Sequence, residues 1–302
     1  MRNVLSHTAR VLLLAIVGLL PVTAIAQTTT ATSWATVDDA LGRKGAAQPS
    51  DVMKYSFPRS DLTVTVGGVT VKPALALGSW TAFRMIGKSR ALVTGDLVLL
   101  EAEVDPVMRA LQAGGIEQTA LHNHVLTESP RVMYMHIMGE GNPATLAHTI
   151  HDALSRSQTP LAAPTPGAPP ASVDLDTAAI AKALGVSGKL NGVVYQVSVP
   201  RRERIMDHGH EVTPAMGVAT AINFQPTGGG KAAITGDFVL RGAEVNPVIR
   251  ALTQHGIAVT AVHSHMLTEA PRLFFMHFWA NDDAVALATG LHAALAATNS
   301  KM

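Results

Sequence analysis

The sequence predicts an α+β protein: a tandem duplication of a β-α-β-β-α unit with additional N-terminal strands, its helices packed on antiparallel sheet. Three observations predict it. Sliding the chain by 141 positions lays residues 91–154 on residues 232–295 without a gap, with about half of the positions identical. Within each copy the apolar spacing switches between period two and a helical period. Between the copies, Leu161-Ala-Ala-Pro-Thr-Pro-Gly-Ala-Pro-Pro-Ala-Ser172 is rich in proline and poor in core formers, as a linker should be. The period is too long for a solenoid or propeller. The expected organisation is therefore an export segment over 1–26, a first repeat domain over 27–160, a linker over 161–172 and a second repeat domain over 173–302.

The start of the chain reads as a signal peptide. Arg2 and Arg10 are positive, residues 11–20 are unbroken and apolar, Pro21 follows, and Ala24-Ile-Ala26 is a small-x-small cleavage site. The apolar run is too short to span a bilayer, and no later stretch is a membrane span. A periplasmic or secreted protein is expected, cut near Ala26. With no cysteine there is no lipid anchor and no disulfide. A net charge of +1, 47% hydrophobic and 15% charged residues suit a packed globular chain and give no field for nucleic acid.

The elements follow in order. Val37-Asp-Asp-Ala-Leu41 before Gly42 reads as a short helix with a glycine stop, as do residues 180–184 before Gly185. Residues 61–66 alternate with period two, Gly67-Gly68 signals a hairpin, and residues 69–71 resume. Residues 73–83 read as a further buried strand. Residues 92–100 read as strand broken at Thr94-Gly95-Asp96, because Gly-Asp favours a tight bend; Asp96 and Asp237 read as turn formers ahead of site acids. Asp105 is expected to cap a helix with Pro106 in its first turn, its apolar face being Val104, Val107, Met108 and Leu111. Residues 116–126 form a strand, 127–130 a turn and 131–138 a second strand. Asn142-Pro143 starts the last helix, with Leu146, Ile150 and Leu154 on one face; Asn246-Pro247, Gly256 and Asp283 repeat these signals.

The chemistry lies in Thr119-Ala-Leu-His-Asn-His-Val-Leu-Thr-Glu-Ser-Pro-Arg-Val-Met-Tyr-Met-His136 and its copy at 260–277. His122 and His124 are two apart on an expected strand, so both rings leave one face. Glu128 lies in the turn and His136 on the return strand. A five-residue turn sets His136 across from His122, and a four-residue turn sends it to the opposite face. In the favourable register His122, His124, Glu128 and His136 form one ligand set, and His263, His265, Glu269 and His277 form a second. Three imidazoles and a carboxylate suit a divalent transition metal, zinc first, then manganese, iron or copper. Binding by neutral imidazole predicts affinity that weakens as pH falls through about 6.5. The bland reading is a packed histidine hairpin whose rings are structural. His-x-His-x3-Glu also looks like the first metal motif of cupins, but those are all-β barrels and a helix precedes the motif here.

Weaker features have bland readings too. Met133, Met135, Met138 and Met276 read as core filler ahead of copper ligands. Arg131 and Arg272 read as partners of Glu128 and Glu269 ahead of anion clamps. His208-Gly-His210 reads as a loop. No nucleophile elbow or phosphate loop is present.

The runs Gly95-Asp-Leu-Val-Leu, Glu103-Val-Asp-Pro-Val, Leu121-His-Asn-His and Pro130-Arg-Val-Met-Tyr-Met-His resemble the LppY/LpqO family of bacterial envelope proteins. Ala219-Thr-Ala-Ile-Asn-Phe-Gln-Pro226 and Phe274-Phe-Met-His-Phe-Trp-Ala280 carry the resemblance into the second half. It implies an exported protein and assigns no catalytic residue. Three functions compete: an exported protein binding a divalent metal, a metal-dependent hydrolase with Glu128 or Glu269 as base, and a non-metal module binding a small envelope ligand.

Overall fold

The computed structural model describes residues 34–162 and 172–302; the expected export segment and most of the linker lie outside them. In the first repeat α1 (Ala35–Leu41) ends at Gly42, whose φ of 65° provides the left-handed cap. There follow β1 (Ala46–Gln48), β2 (Val52–Pro58), the hairpin β3 (Val64–Val66) and β4 (Val69–Val71), α2 (Pro73–Ala76), β5 (Gly78–Met85), β6 (Ala91–Leu100), α3 (Glu101–Ala113), β7 (Glu117–His122), β8 (Glu128–Ser129), β9 (Val132–Gly141) and α4 (Pro143–Leu154). The second repeat runs α5 (Thr177–Leu184), β10 (Lys189–Asn191), β11 (Val194–Pro200), β12 (Ile205–Asp207), β13 (His210–Val212), a 3-10 turn, β14 (Ala219–Gly228), β15 (Lys231–Leu240), α6 (Gly242–Gln254), β16 (Ala258–His263), β17 (Phe274–Asp283) and α7 (Ala284–Ala296).

Each repeat builds one six-stranded sheet, in the order β1-β2-β5-β6-β9-β7 and β10-β11-β14-β15-β17-β16. Every ladder in them is antiparallel. One face of each sheet takes the helices. Leu97, Leu99 and Ile137 pack there with Val107, Leu111, Ile150 and Leu154, and Phe238, Leu240 and Phe278 pack with Val248, Leu252 and Leu291. The other face of each sheet packs on the other repeat. Val52, Ala82, Leu92 and Met138 share a core with Val239, Met266 and Phe275, while Val98 and Tyr134 share one with Ala233 and Trp279. Residues Trp34–Met302 thus form one compact unit, with two sheets face to face and helices outside. The duplicated α+β design is the fold.

Burial on both faces explains where the sequence misleads. β6 is one unbroken strand through Thr94-Gly95-Asp96, and all but its last residue are buried. A strand covered on both sides loses the polar alternation that marks a half-exposed one, so its glycine and aspartate imitate a bend. Gly95 and Gly236 are there for close approach. A Cβ on Gly95 would lie 2.8 Å from the Trp80 carbonyl oxygen, and one on Gly236 would lie 1.9 Å from that of Ala221. Gly236→Ala must push β14 from β15, so its loss of stability should reach or exceed the ~1–3 kcal/mol usual for overpacking, with Gly95→Ala milder. Denaturant midpoints check this, and an unchanged midpoint for Gly236→Ala would contradict the contact.

Helix starts also move. α3 begins at Glu101, not Asp105, because the Glu103 carboxylate accepts from the Leu100 N–H at 2.8 Å and caps the helix there. Pro106 and Pro247 therefore sit inside their helices. Residues 73–83 divide into α2 and β5 rather than one strand. Asn142 and Asp283 cap α4 and α7 as the sequence indicates, each accepting from two backbone N–H groups.

Candidate metal centre

The long central strands set the site. Asp96 pairs with His136 across β6 and β9, and Asp237 pairs with His277 across β15 and β17, all on the face turned toward the other repeat. β7 adds its last residue, His122, opposite Tyr134, with Ala120 opposite His136. A bulge between Gln118 and Ala120 sets this register, repeated between Val259 and Ala261. His136 thus shares the face of His122, although its direct neighbour is Ala120.

His124 and His265 lie past the strand ends instead of within strands reaching residue 126. The Asn123 amide donates to the Val125 carbonyl at 2.7 Å and turns the chain out of the sheet. Aromatic rings fix both: His124 stacks on Tyr134 at 3.3 Å between ring centres, and His265 stacks on Phe275 at 3.6 Å.

The expected pair of separate three-histidine sites does not form. Because the sheets face each other, the six rings merge into one cluster between the repeats. His122 meets His263 at 3.7 Å, His124 meets His277 at 3.8 Å, and His136 meets His265 at 3.5 Å between ring centres. The ligand atoms of His122, His263, His265 and His277 all lie within 4.8 Å of one another, a group that could hold a metal ion. His124 and His136 complete the cluster through their ring contacts. The Thr260 hydroxyl donates to the His124 carbonyl and ties the two hairpins together.

The tautomers are fixed from outside. Nδ1 of His122, His263 and His277 faces the carbonyl oxygens of Asn123, Ser264 and Gly236 at 3.3, 3.3 and 2.8 Å. A carbonyl only accepts, so each Nδ1 carries the proton and each Nε2 keeps its lone pair. Nε2 of all six histidines is buried without a hydrogen-bond partner, as are Oδ1 of Asp96 and of Asp237. Asp96 Oδ1 is 3.9 Å from His136 Nε2, and Asp237 Oδ2 is 3.5 Å from His265 Nε2. Buried polar atoms are normally paired, so a cluster of unpaired donors pointing inward fits a cation.

Glu128 and Glu269 stay outside this cluster. Their carboxylates close their own turns, accepting from the Val132 and Leu273 N–H groups at 3.3 and 2.8 Å. Glu269 also pairs with Arg272 at 3.2 Å. Met135 and Met276 fill helix-side cores. His208 stands at the β12–β13 turn with φ 47°.

Both copies of the chain, residues 35–156 and 178–297, match the family described as Domain of Unknown Function (DUF1259). The chain belongs to this family. No curated protein matches. Two solved microcompartment shell proteins align with it. Trimeric PduB is 14% identical over 84% of this chain and 92% of that one, with a TM-score of 0.22. EtuB from Clostridium kluyveri is 9% identical over 84% and 90%, with a TM-score of 0.20. Scores this low carry no argument about fold or function. Each of the two matched family segments contributes three of the clustered histidines and one of the aspartates.

Sequence reasoning ranked Asp96 and Asp237 as turn formers ahead of site acids, yet they lie in strands beside the clustered rings; the available signal was the same Thr-Gly-Asp at the same offset inside two apolar runs. Lys54 was missed. Its ammonium lies over the Trp80 ring at 4.0 Å, and burial lowers it to about 8 against the pull of Asp96. A cleft with about 20 Å³ of free space, enough for one water, opens beside His136, His265, Trp80 and Met216.

Burial also dominates the protonation of the rings. It holds His122 down to about 3 and His263 to about 4, and the other four lie well below the usual value, pushed further by neighbouring rings. Proton competition therefore starts at a lower pH than the expected 6.5. Burial raises Asp96 to about 7 and Asp237 well above its usual range.

The two effects on stability have opposite signs. Below about 6.5 the unfolded chain takes up histidine protons that the folded chain refuses, so acid destabilises, by up to ~1.4 kcal/mol per ring and pH unit. Burial keeps Asp96 protonated in the folded chain up to about 7 and shifts Asp237 the same way, whereas both ionise near 3.8 when unfolded, so they favour folding in acid. Six rings outweigh two carboxyls. Metal-free protein should melt at a lower temperature at pH 5 than at pH 7; a flat profile would mean that the rings are charged in the folded state.

Proposed function

We propose that this chain is an exported protein, periplasmic or secreted and of the LppY/LpqO type, that binds a divalent transition metal at the composite centre between its repeats. The observation that carries this reading is the set of six buried Nε2 atoms without a partner, four of their rings drawn together. Imidazole held with Nδ1–H on a carbonyl is the usual arrangement around a metal ligand. Nitrogen and carboxylate donors with no sulfur favour zinc, with manganese and iron next. Structural histidines would be expected to carry hydrogen bonds on both nitrogens, which argues against a purely packed hairpin.

Elemental analysis of protein purified from the envelope fraction tests the reading: at least one equivalent of transition metal is expected, and metal-free protein that also fails to take up zinc would refute it. Sequencing the N-terminus of the same sample tests export, which requires a start after Ala26 and not at Met1. Hydrolase activity is a second reading, favoured by the water-sized cleft beside His136 and His265. There a bound ion would lower the pKa of a water, and Glu128 and Glu269, being outside the cluster, would not be its base.

A further inference from the structure

We infer that the centre takes two divalent ions, one on each side of the pseudo-twofold axis relating the repeats. This rests on the metal-binding reading and deepens it. The offset of 141 maps His122 on His263, His124 on His265, His136 on His277 and Asp96 on Asp237. The shortest ring contacts off the axis are then a symmetric pair: His136 with His265 at 3.5 Å, and His124 with His277 at 3.8 Å. Each joins one ring from either repeat. Carboxylates flank both pairs: Asp96 Oδ1 is 3.9 Å from His136 Nε2, and Asp237 reaches both, with Oδ1 3.8 Å from His277 Nδ1 and Oδ2 3.5 Å from His265 Nε2. His122 and His263 stand between the two groups, 3.7 Å apart.

The donor count decides between one ion and two. Six ring nitrogens and two carboxylate oxygens are buried there without a partner. A zinc ion takes four such donors, and octahedral ions take six. One ion would leave at least two of these buried polar atoms unpaired, at considerable cost. Held on the four nitrogens that now converge, it would also leave His124, His136 and both aspartates idle. Two ions satisfy all eight: one takes Asp96, His136 and His265, the other Asp237, His277 and His124, and the axial rings supply one nitrogen each. Each set is three imidazoles and one carboxylate. Two-metal sites of this kind hold their ions about 3.5–4 Å apart, which suits groups bridged by adjacent rings.

Titrating chelator-stripped, full-length protein with Zn²⁺, read by native mass spectrometry and elemental analysis, should give two equivalents. Asp96→Asn combined with His136→Ala should remove one of them, and so should Asp237→Asn combined with His124→Ala. Both double variants are measured, and circular dichroism identifies those that fold. A single equivalent in the unaltered protein overturns the two-ion assignment and leaves the metal reading standing; none overturns that reading itself. Two equivalents surviving in a folded double variant overturn the assignment of these donors.

Discussion

Replacing His122 and His263 together with alanine should take zinc content from stoichiometric to background. The two rings meet at 3.7 Å on the axis, and both belong to the converging group of four. Losing an outer-shell partner already costs 10–100-fold in metal affinity, and this change removes two inner donors. Stability should fall far less than in ordinary core truncation. Each ring buries an Nε2 with nothing bonded to it, so alanine removes an unpaired polar atom while opening space. The stripped double variant should therefore melt close to stripped unaltered protein. Added zinc should raise the melting temperature of the unaltered protein only, since a ligand stabilises the state that binds it. Stoichiometric zinc in the variant would sink the assignment, and so would equal thermal shifts in both proteins.

The largest loss of stability should come from Arg59→Ala. Its guanidinium is fully buried and donates to the Val98 carbonyl at 2.7 Å, to Glu103 at 2.7 and 3.1 Å, and to Asp61 at 2.8 Å. Glu103 in turn accepts from the N–H groups of Leu100 and Gln158, both at 2.8 Å. One cation thus joins the end of β2, the start of α3 and the segment after α4. Without it a buried carboxylate and a carbonyl lose their partner, a change worth roughly 3–5 kcal/mol. Lysine cannot restore the fork geometry. Arg201 repeats the arrangement with Val239, Glu244 and Glu203, so Arg201→Ala should cost a similar amount. Urea denaturation measures both; a loss below ~1 kcal/mol would show that the network is not holding these elements.

The duplicated frame was legible because half of each copy is repeated at one fixed offset, and capping signals such as Asn142 and Asp283 act locally. The shared face of His122 and His136 needed the bulge at Gln118, which no residue pattern announces. The centre itself was legible only in halves. Spacing along the chain reports which rings leave one strand face, but it carries no distance between two copies more than a hundred residues apart. Asp96 and Asp237 were ranked as turn formers for a different reason: a doubly covered strand has no exposed face to contrast with its buried one, so local preference for a turn outweighed the repeated Thr-Gly-Asp. Glu128 and Glu269 had the right chemistry and spacing, yet the nearest backbone N–H groups claimed them first.

Lys54 gives the shared centre a hereditary consequence. It pairs with Ala82 in the first sheet, and the matching place opposite Asn223 in the second holds Gln196. Two identical chains around the same axis would carry every substitution twice, and a lysine on one side would force a lysine on the other. Joined in one gene, the halves mutate separately. A charge beside Asp96 can be gained while the side of Asp237 stays neutral, so fusion lets natural selection tune the two sides of one centre independently.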